Sequence, residues 1–276
     1  MSDRPNRPII GIDRGASFTD FAVIESGRMV ETLSIANRDW PGIVGTYDRM
    51  AAPYQTFRTV FTGASAGMPG RMKKEVRIIP EIDAIGFGGS ALTSYSDCIV
   101  VSIGTGTAVV HFSNKSARHV GGTGMGGGTI KGLASLICGL DEPLQIESLA
   151  RKGNPSHINL TISDLGYEGL SFLGSDMTAS NFADVKSDKP ADLAAGILRL
   201  VGETVGIIAS ICAREFNCRD QIVIVGKVAQ SQFIRHTMDL VGKLYQTRFT
   251  FPDNPGYATV YGAAMKYIYD QMSEDR

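Results

Sequence analysis

The chain has 276 residues, 43% hydrophobic and 20% charged, which excludes extensive disorder and allows one large domain or two small lobes. Its 27 Lys and Arg against 28 Asp and Glu leave a net charge of −1, so no global field draws it to nucleic acid or an anionic membrane. The 4 cysteines form no Cys-x-x-Cys pair, which argues against a zinc framework and, at this length, against a disulfide scaffold.

The N-terminal MSDRPNRP is polar and carries no apolar signal core, and with reduced thiols this predicts a cytoplasmic protein. Residues Ile9 to Asp13 read as a first buried strand, Phe18 to Ile24 as a second and Met29 to Ile35 as a third, a meander opening on a glycine-containing hairpin. A helix is expected from Ile43 to Ala52, strands from Thr56 to Thr62 and Val76 to Ile79, and a helix from Asp83 to Leu92. Cys98 to Ile103 is an apolar strand that turns at Gly104-Thr105-Gly106-Thr107 and returns through Ala108 to Phe112. Strand–turn–strand therefore occurs twice, near 9–24 and 98–112, as a weak internal repeat. A glycine-rich run, Gly121 to Thr129, with no strand directly before Gly124, leads into a helix from Ile130 to Cys138. Asp141 to Arg151 is a further helix, stopped by Gly153-Asn154-Pro155, and 155–190 is rich in loops. Ala191 to Phe216 is a long apolar helix whose Asp192, Arg199 and Glu203 mark it as buried core rather than a membrane span. A strand from Gln221 to Val225, a helix from Gln232 to Tyr245, a strand from Arg248 to Phe251 and a helix from Tyr257 to Met272 complete the chain. No linker divides it, so two lobes, 1–88 and 89–276, are expected to join closely near 84–97.

Chemistry concentrates at the turns. Asp13, Gly15, Ala16, Ser17 and Thr19 form one small-residue hairpin in which backbone N–H groups wrap phosphate oxygens and Asp13 holds Mg²⁺. Gly104, Thr105, Gly106 and Thr107 form a second such hairpin. Gly126, Gly127 and Gly128 open a helix, whose N-terminus favours an anion. Gly226, after the strand Val223 to Val225, suits an adenine or ribose contact. The sequence has no G-x-x-x-x-G-K-[ST] loop, and the 124–128 run is too glycine-dense for a dinucleotide fingerprint. Phosphoryl transfer to an alcohol needs a carboxylate to accept the hydroxyl proton, and Glu81 and Asp83 lie between the two hairpins in sequence.

Taken in order, these motifs resemble the type II pantothenate kinases. Glu81-Ile82-Asp83-Ala84 is similar to that family's Glu-x-Asp-Ala segment, and Ile103 to Thr107 to its second phosphate loop. Val120 to Thr129 is similar to its glycine-rich helix start, Asp176 to Phe182 to the segment ahead of its long helix, and Ala213 to Phe216 also fits. The resemblance implies a two-lobed actin-like (ribonuclease H-like) α/β ATPase fold with a mixed sheet in each lobe. It also implies Mg²⁺ and ATP, Glu81 as catalytic base, Arg118, His119 and Thr105 around the substrate, and a homodimer. No nucleic acid or membrane partner is expected.

The chain departs from the family at three places. Asp20 stands where members carry a lysine, His119 where they carry an arginine, and Gly226-Lys227 where they carry glycine with serine or asparagine. Gly15 to Asp20 also resembles a segment of hydantoinase-type and oxoprolinase-type ATPases. The reading is an ATP-dependent kinase for the primary alcohol of pantothenate. The alternatives are a same-fold kinase for another small alcohol and a non-kinase ATP-binding regulatory protein.

Overall fold

A computed structural model describes residues 7–64, 76–166, 174 and 177–274. The start of the polar N-terminus and Asp176 lie outside the described residues.

The first half builds β1 (Ile9–Arg14), β2 (Phe18–Glu25), β3 (Arg28–Ala36), α1 (Trp40–Ala51), β4 (Arg58–Gly63), β5 (Val76–Ile78) and α2 (Glu81–Thr93). Then come β6 (Asp97–Ile103), β7 (Thr107–Ser113), β8 (Ser116–Thr123), α3 (Gly127–Cys138) and α4 (Pro143–Ala150). A small ribbon, β9 (Leu160–Thr161) with β10 (Thr178–Ser180), precedes α5 (Pro190–Glu215). The chain ends with β11 (Ile222–Val225), α6 (Gln232–Tyr245), β12 (Phe249–Thr250) and α7 (Ala258–Glu274).

Two five-stranded mixed sheets result, in the orders β3-β2-β1-β4-β5 and β12-β11-β6-β7-β8. Read from its opposite edge, the second order repeats the first: an antiparallel meander of three strands, then two strands added in parallel. The repeat read from 9–24 and 98–112 is thus a duplication of a whole sheet. In both sheets the first hairpin turn, 15–17 and 104–106, lies at the carboxyl end of the first strand. That is where open α/β sheets collect ligands.

The central strands are apolar because both faces are covered. One face of the first sheet buries Ile12, Phe21, Val23 and Phe61 against Ile43 and Met50 of α1. The other buries Ile9, Ala22, Ile24 and Val60 against Val260, Ala263 and Ala264 of α7. The second sheet packs one face on α2 through Ile85 and Phe87, and the other on α5 and its neighbours. The C-terminal helix therefore returns to the first sheet, while α2, which follows that sheet in sequence, covers the second. The two helices cross between the sheets. A boundary between residues 88 and 89 falls inside α2.

α5 is long and apolar enough to cross a membrane by length and composition. It is instead the core helix of the second half, with Ala194, Ile197, Leu198, Val201, Val205 and Ala209 all buried. One expectation is overturned: β8 runs through Gly121, Gly122 and Thr123 and directly precedes Gly124. These glycines are strand because β7 pairs with them, Val109 opposite Gly121 and Ala108 opposite Gly122, with a bulge at Val120 that absorbs one residue.

Candidate active site

The turns of the two hairpins meet. Ser17 Oγ lies 3.3 Å from Thr105 Oγ1, one hydroxyl from each sheet. Gly15, Ala16, Ser17, Gly104 and Thr105 are exposed around this contact, and Gly106 is half-buried. Each turn is closed by its own backbone, Gly15 N–H to Phe18 O at 3.0 Å and Gly104 N–H to Gly106 O at 2.9 Å.

Asn37, unforeseen from the sequence, braces the first turn. Its Nδ2 donates to Gly15 O at 2.7 Å, its N–H to Ser17 O at 3.0 Å, and its Oδ1 accepts from Thr19 Oγ1 at 2.8 Å. Thr19 is buried and its hydroxyl serves this brace, so it shapes the turn from beneath. Thr107 is likewise buried and donates to Met125 O at 2.7 Å. The glycines at the start of α3 are spent on the second turn: Gly127 N–H donates to Gly104 O at 2.7 Å and Gly128 N–H to Thr105 O at 2.9 Å. A side chain on Gly126 would sit 2.7 Å from Thr105 O, so this glycine permits the close packing that holds the second turn. Gly126, Gly127 and Gly128 support the second hairpin from below, and the two N–H groups expected to meet an anion already have protein partners.

Carboxylates gather at the foot of the first turn. Burial, then Asp20 and then Glu81, push the Asp13 carboxyl up to about 8, with Lys227 opposing them. These four groups come from β1, β2, the first turn of α2 and the turn after β11. Asp13 Oδ1 also abuts Gly63 at the end of β4; a side chain there would lie 3.0 Å from it and 2.4 Å from Arg14 O. Among the described residues, Thr62 Oγ1 and Asp20 Oδ1 are buried without an aligned hydrogen-bond partner. Asp20 Oδ1 does lie 2.8 Å from Lys227 Nζ, an ion pair by proximity rather than by alignment. Asp13 and the buried Asp20 Oδ1, which lacks an aligned donor, supply hard oxygen atoms of the kind that hold a divalent cation.

The two base candidates part company. Glu81 is exposed at the start of α2 and acts electrostatically on Asp13. Asp83 turns to α7, where burial and Asp270 raise its carboxyl and Lys266 opposes them. Two of the three substrate candidates, Arg118 and His119, also separate, because neighbours on a strand face opposite ways. Arg118 lies over the Phe216 ring at 5.9 Å, on the α5 side. His119 is exposed on the side where Ala117 packs against α2, and its Nε2 would be 3.5 Å from a side chain on Gly122.

Gly226 closes β11 at φ +91°, and a side chain there would lie 2.4 Å from Ile103 O. Only glycine lets the end of β11 lie so close to the end of β6 beside the second turn. A separate cluster lies elsewhere on the second sheet. Ligand atoms of Asp97, His111 and Cys218 fall within 4.8 Å of one another. They satisfy each other, His111 Nε2 at 2.9 Å and Cys218 Sγ at 3.4 Å from Asp97 Oδ1, and burial holds the Cys218 thiol up at about 12.

A profile of the Fumble family matches residues 89–266. The chain belongs to the Fumble family, the type II pantothenate kinases. A type II pantothenate kinase of Oceanobacillus iheyensis is 29% identical over 266 residues, covering 93% of this chain and 98% of its own. That of Staphylococcus aureus USA300 is 27% identical over 76% of this chain and 82% of its own. The fold of this Fumble-family chain matches solved structures at lower identity. The activator of the 2-hydroxyisocaproyl-CoA dehydratase from Clostridium difficile, with bound ADPNP, superposes with a TM-score of 0.67 at 17% identity, covering 97% of this chain and 96% of its own. A ROK family glucokinase from Streptomyces griseus, with glucose and AMPPNP, gives 0.56 at 13%, covering 93% and 98%. The two-lobed actin-like ATPase fold expected from the motifs is the one observed. Asn37 and Gly63 are members of this site that sequence reading passes over, and Lys227, read there only as a departure from the family, joins them.

Proposed function

We propose that this Fumble-family chain is an ATP-dependent kinase that phosphorylates the primary alcohol of pantothenate, the first step of coenzyme A biosynthesis. The observation that carries the proposal is the meeting of Ser17 and Thr105 above the Asp13, Asp20 and Glu81 carboxylates. Two backbone turns, one from each sheet, offer small-residue donors to adjacent phosphates. Asp13 is the residue to hold Mg²⁺, which when bound supplies positive charge to the phosphate oxygens. Gly226 lies on the nucleoside side. Glu81, exposed and free of the α7 contacts that engage Asp83, accepts the proton of the attacking hydroxyl. His119, on the α2 side of β8, faces the acceptor, whereas Arg118 is stacked on Phe216. We further propose a homodimer, for which Leu136 and Leu144, each 85% exposed, supply apolar surface, and a cytoplasmic location.

The test is ADP release from Mg-ATP with pantothenate. Turnover is expected, and Glu81→Gln is expected to lower kcat at least about 100-fold while ATP binding persists. Absence of turnover with pantothenate overturns the acceptor, and full activity of the variant overturns the base. A second reading, a different small alcohol, is favoured by the imidazole of His119 on the acceptor side, which cannot offer a carboxylate the bidentate fork of a guanidinium. Preferential turnover of another alcohol in a substrate panel would select it.

A further inference from the structure

Lys227 does not stay with its own sheet. It follows Gly226 at the end of β11, yet its ammonium group reaches the first hairpin, 2.8 Å from Asp20 Oδ1 and 3.8 Å from the centroid of the Phe18 ring, with a hydrogen bond to Ser34 Oγ. Asp20 and Phe18 belong to β2 and Ser34 to β3, so one side chain crosses from the second sheet to the first at the mouth of the proposed nucleotide cleft. Its side chain is 34% exposed while that of Asp20 is 11% exposed, so the cation has more access to solvent than the carboxylate, whose Oδ1 is buried. Of the charged groups that act on Asp13, Lys227 is the cation, against Asp20 and Glu81.

A polyphosphate entering between the two turns brings several negative charges towards these carboxylates. A flexible four-carbon stem carrying a rotatable point charge is suited to follow it. The stem starts beside the second turn, since Gly226 abuts Ile103, and the ammonium ends beside the first, so its sweep covers both.

We propose that Lys227 is a phosphate-binding residue of this site, its ammonium group moving from Asp20 to the phosphate oxygens of the bound nucleotide, with Asp20 as the positioning residue that holds it at the first hairpin. This rests on the reading of the cleft as a nucleotide site. The competing account is that Lys227 only neutralises the buried Asp20.

Calorimetric titration with Mg-ATP and with adenosine separates the two. Lys227→Met should weaken Mg-ATP about ten- to a hundredfold, the worth of a charge-assisted contact, and leave adenosine within about twofold. Asp20→Asn should bind Mg-ATP at least as tightly as the parent, since the phosphate no longer competes with a carboxylate for the ammonium. The deciding variant is Asp20→Asn combined with Lys227→Met, which carries no unbalanced charge and remains informative if Lys227→Met alone does not fold. Weak Mg-ATP binding with normal adenosine binding in this double variant supports the proposal. Parental Mg-ATP affinity in it, or in Lys227→Met, overturns the proposal and leaves the kinase reading standing. A parent chain that binds no ATP overturns both.

Discussion

Asp192 carries a concentrated set of polar contacts outside the cleft. It sits in the first turn of α5 with its side chain 7% exposed. Its carboxylate accepts from Ser187 Oγ at 2.6 Å and from Asn154 N–H at 2.7 Å, and His157 Nδ1 lies 3.0 Å away. The Ser187 hydrogen bond, then that of Asn154 and then His157, hold the carboxyl down at about 2, against an ordinary 3.8. The group ties Asn154, His157 and Ser187 to the core helix. A depressed folded pKa contributes stability that is complete above the unfolded value and lost as pH falls through the folded one. Asp192→Ala should therefore cost about 3 kcal/mol at neutral pH, since several donors lose a charged acceptor. The gap between parent and variant should stay constant above about pH 5 and shrink from there as pH falls through the folded value of about 2. Urea midpoints measured across that range check both the size and the sign; a gap that widens on acidification would contradict this account.

The crossing of α2 and α7 fixes how the two sheets sit together. It is built from small residues one turn apart on each helix. A side chain on Gly262 would lie 1.9 Å from Ala84 O and 2.3 Å from Gly88 N, and one on Gly88 would lie 2.1 Å from Ala258 O. Backbone cannot yield as a flexible side-chain tip does. Gly262→Ala should therefore destabilise by about 3 kcal/mol or more, although alanine is the better helix former. Gly132 provides the control: it lies on the exposed face of α3 with nothing within 4 Å of an added side chain, and Gly132→Ala should stabilise by about 0.5–1 kcal/mol. Denaturation of the two variants side by side reads opposite signs from one chemical change. The same pair explains what the sequence made legible. Apolar runs such as Cys98 to Ile103 announced their strands, because burial on both faces leaves an unbroken signature. Glycine announces nothing by itself: the signal at 121–123 is a paired strand, at 126–128 a packing surface, and at 262 a helix crossing. The hairpins at 15–17 and 104–106 were readable locally. The link between Asp20 and Lys227 was not, because two departures noted separately at opposite ends of the chain meet only after both sheets have formed.

At the scale of the molecule, sequence order and packing order disagree. We propose two lobes, 1–88 and 89–276, but the inner face of the first sheet is completed by α7 from the far end of the chain. Ile9, Ala22, Ile24 and Val60 bury against Val260, Ala263 and Ala264, and a side chain on Gly11 would lie 2.7 Å from Val260 Cγ2. Without α7 that face of the sheet meets water. Full burial of a large aliphatic side chain is worth about 1.5–3 kcal/mol, and a domain's net stability is about 5–15 kcal/mol, so uncovering several such residues removes most of what holds the first sheet. A fragment of residues 1–93 should therefore fail to fold alone, showing no cooperative melting and no dispersed amide spectrum. Adding residues 94–276 as a separate chain should restore both, because that chain carries α7. The intact protein should unfold in one transition with coincident midpoints from probes in either sheet, since the lobe that contains the second hairpin also supplies a layer of the first. Independent folding of the 1–93 fragment would instead mean that the sheet and α1 suffice, and that α7 serves only to hold the cleft. The expected failure makes the crossing of α2 and α7 the element through which each half depends on the other, and it places the meeting of Ser17 with Thr105 at the end of a shared core.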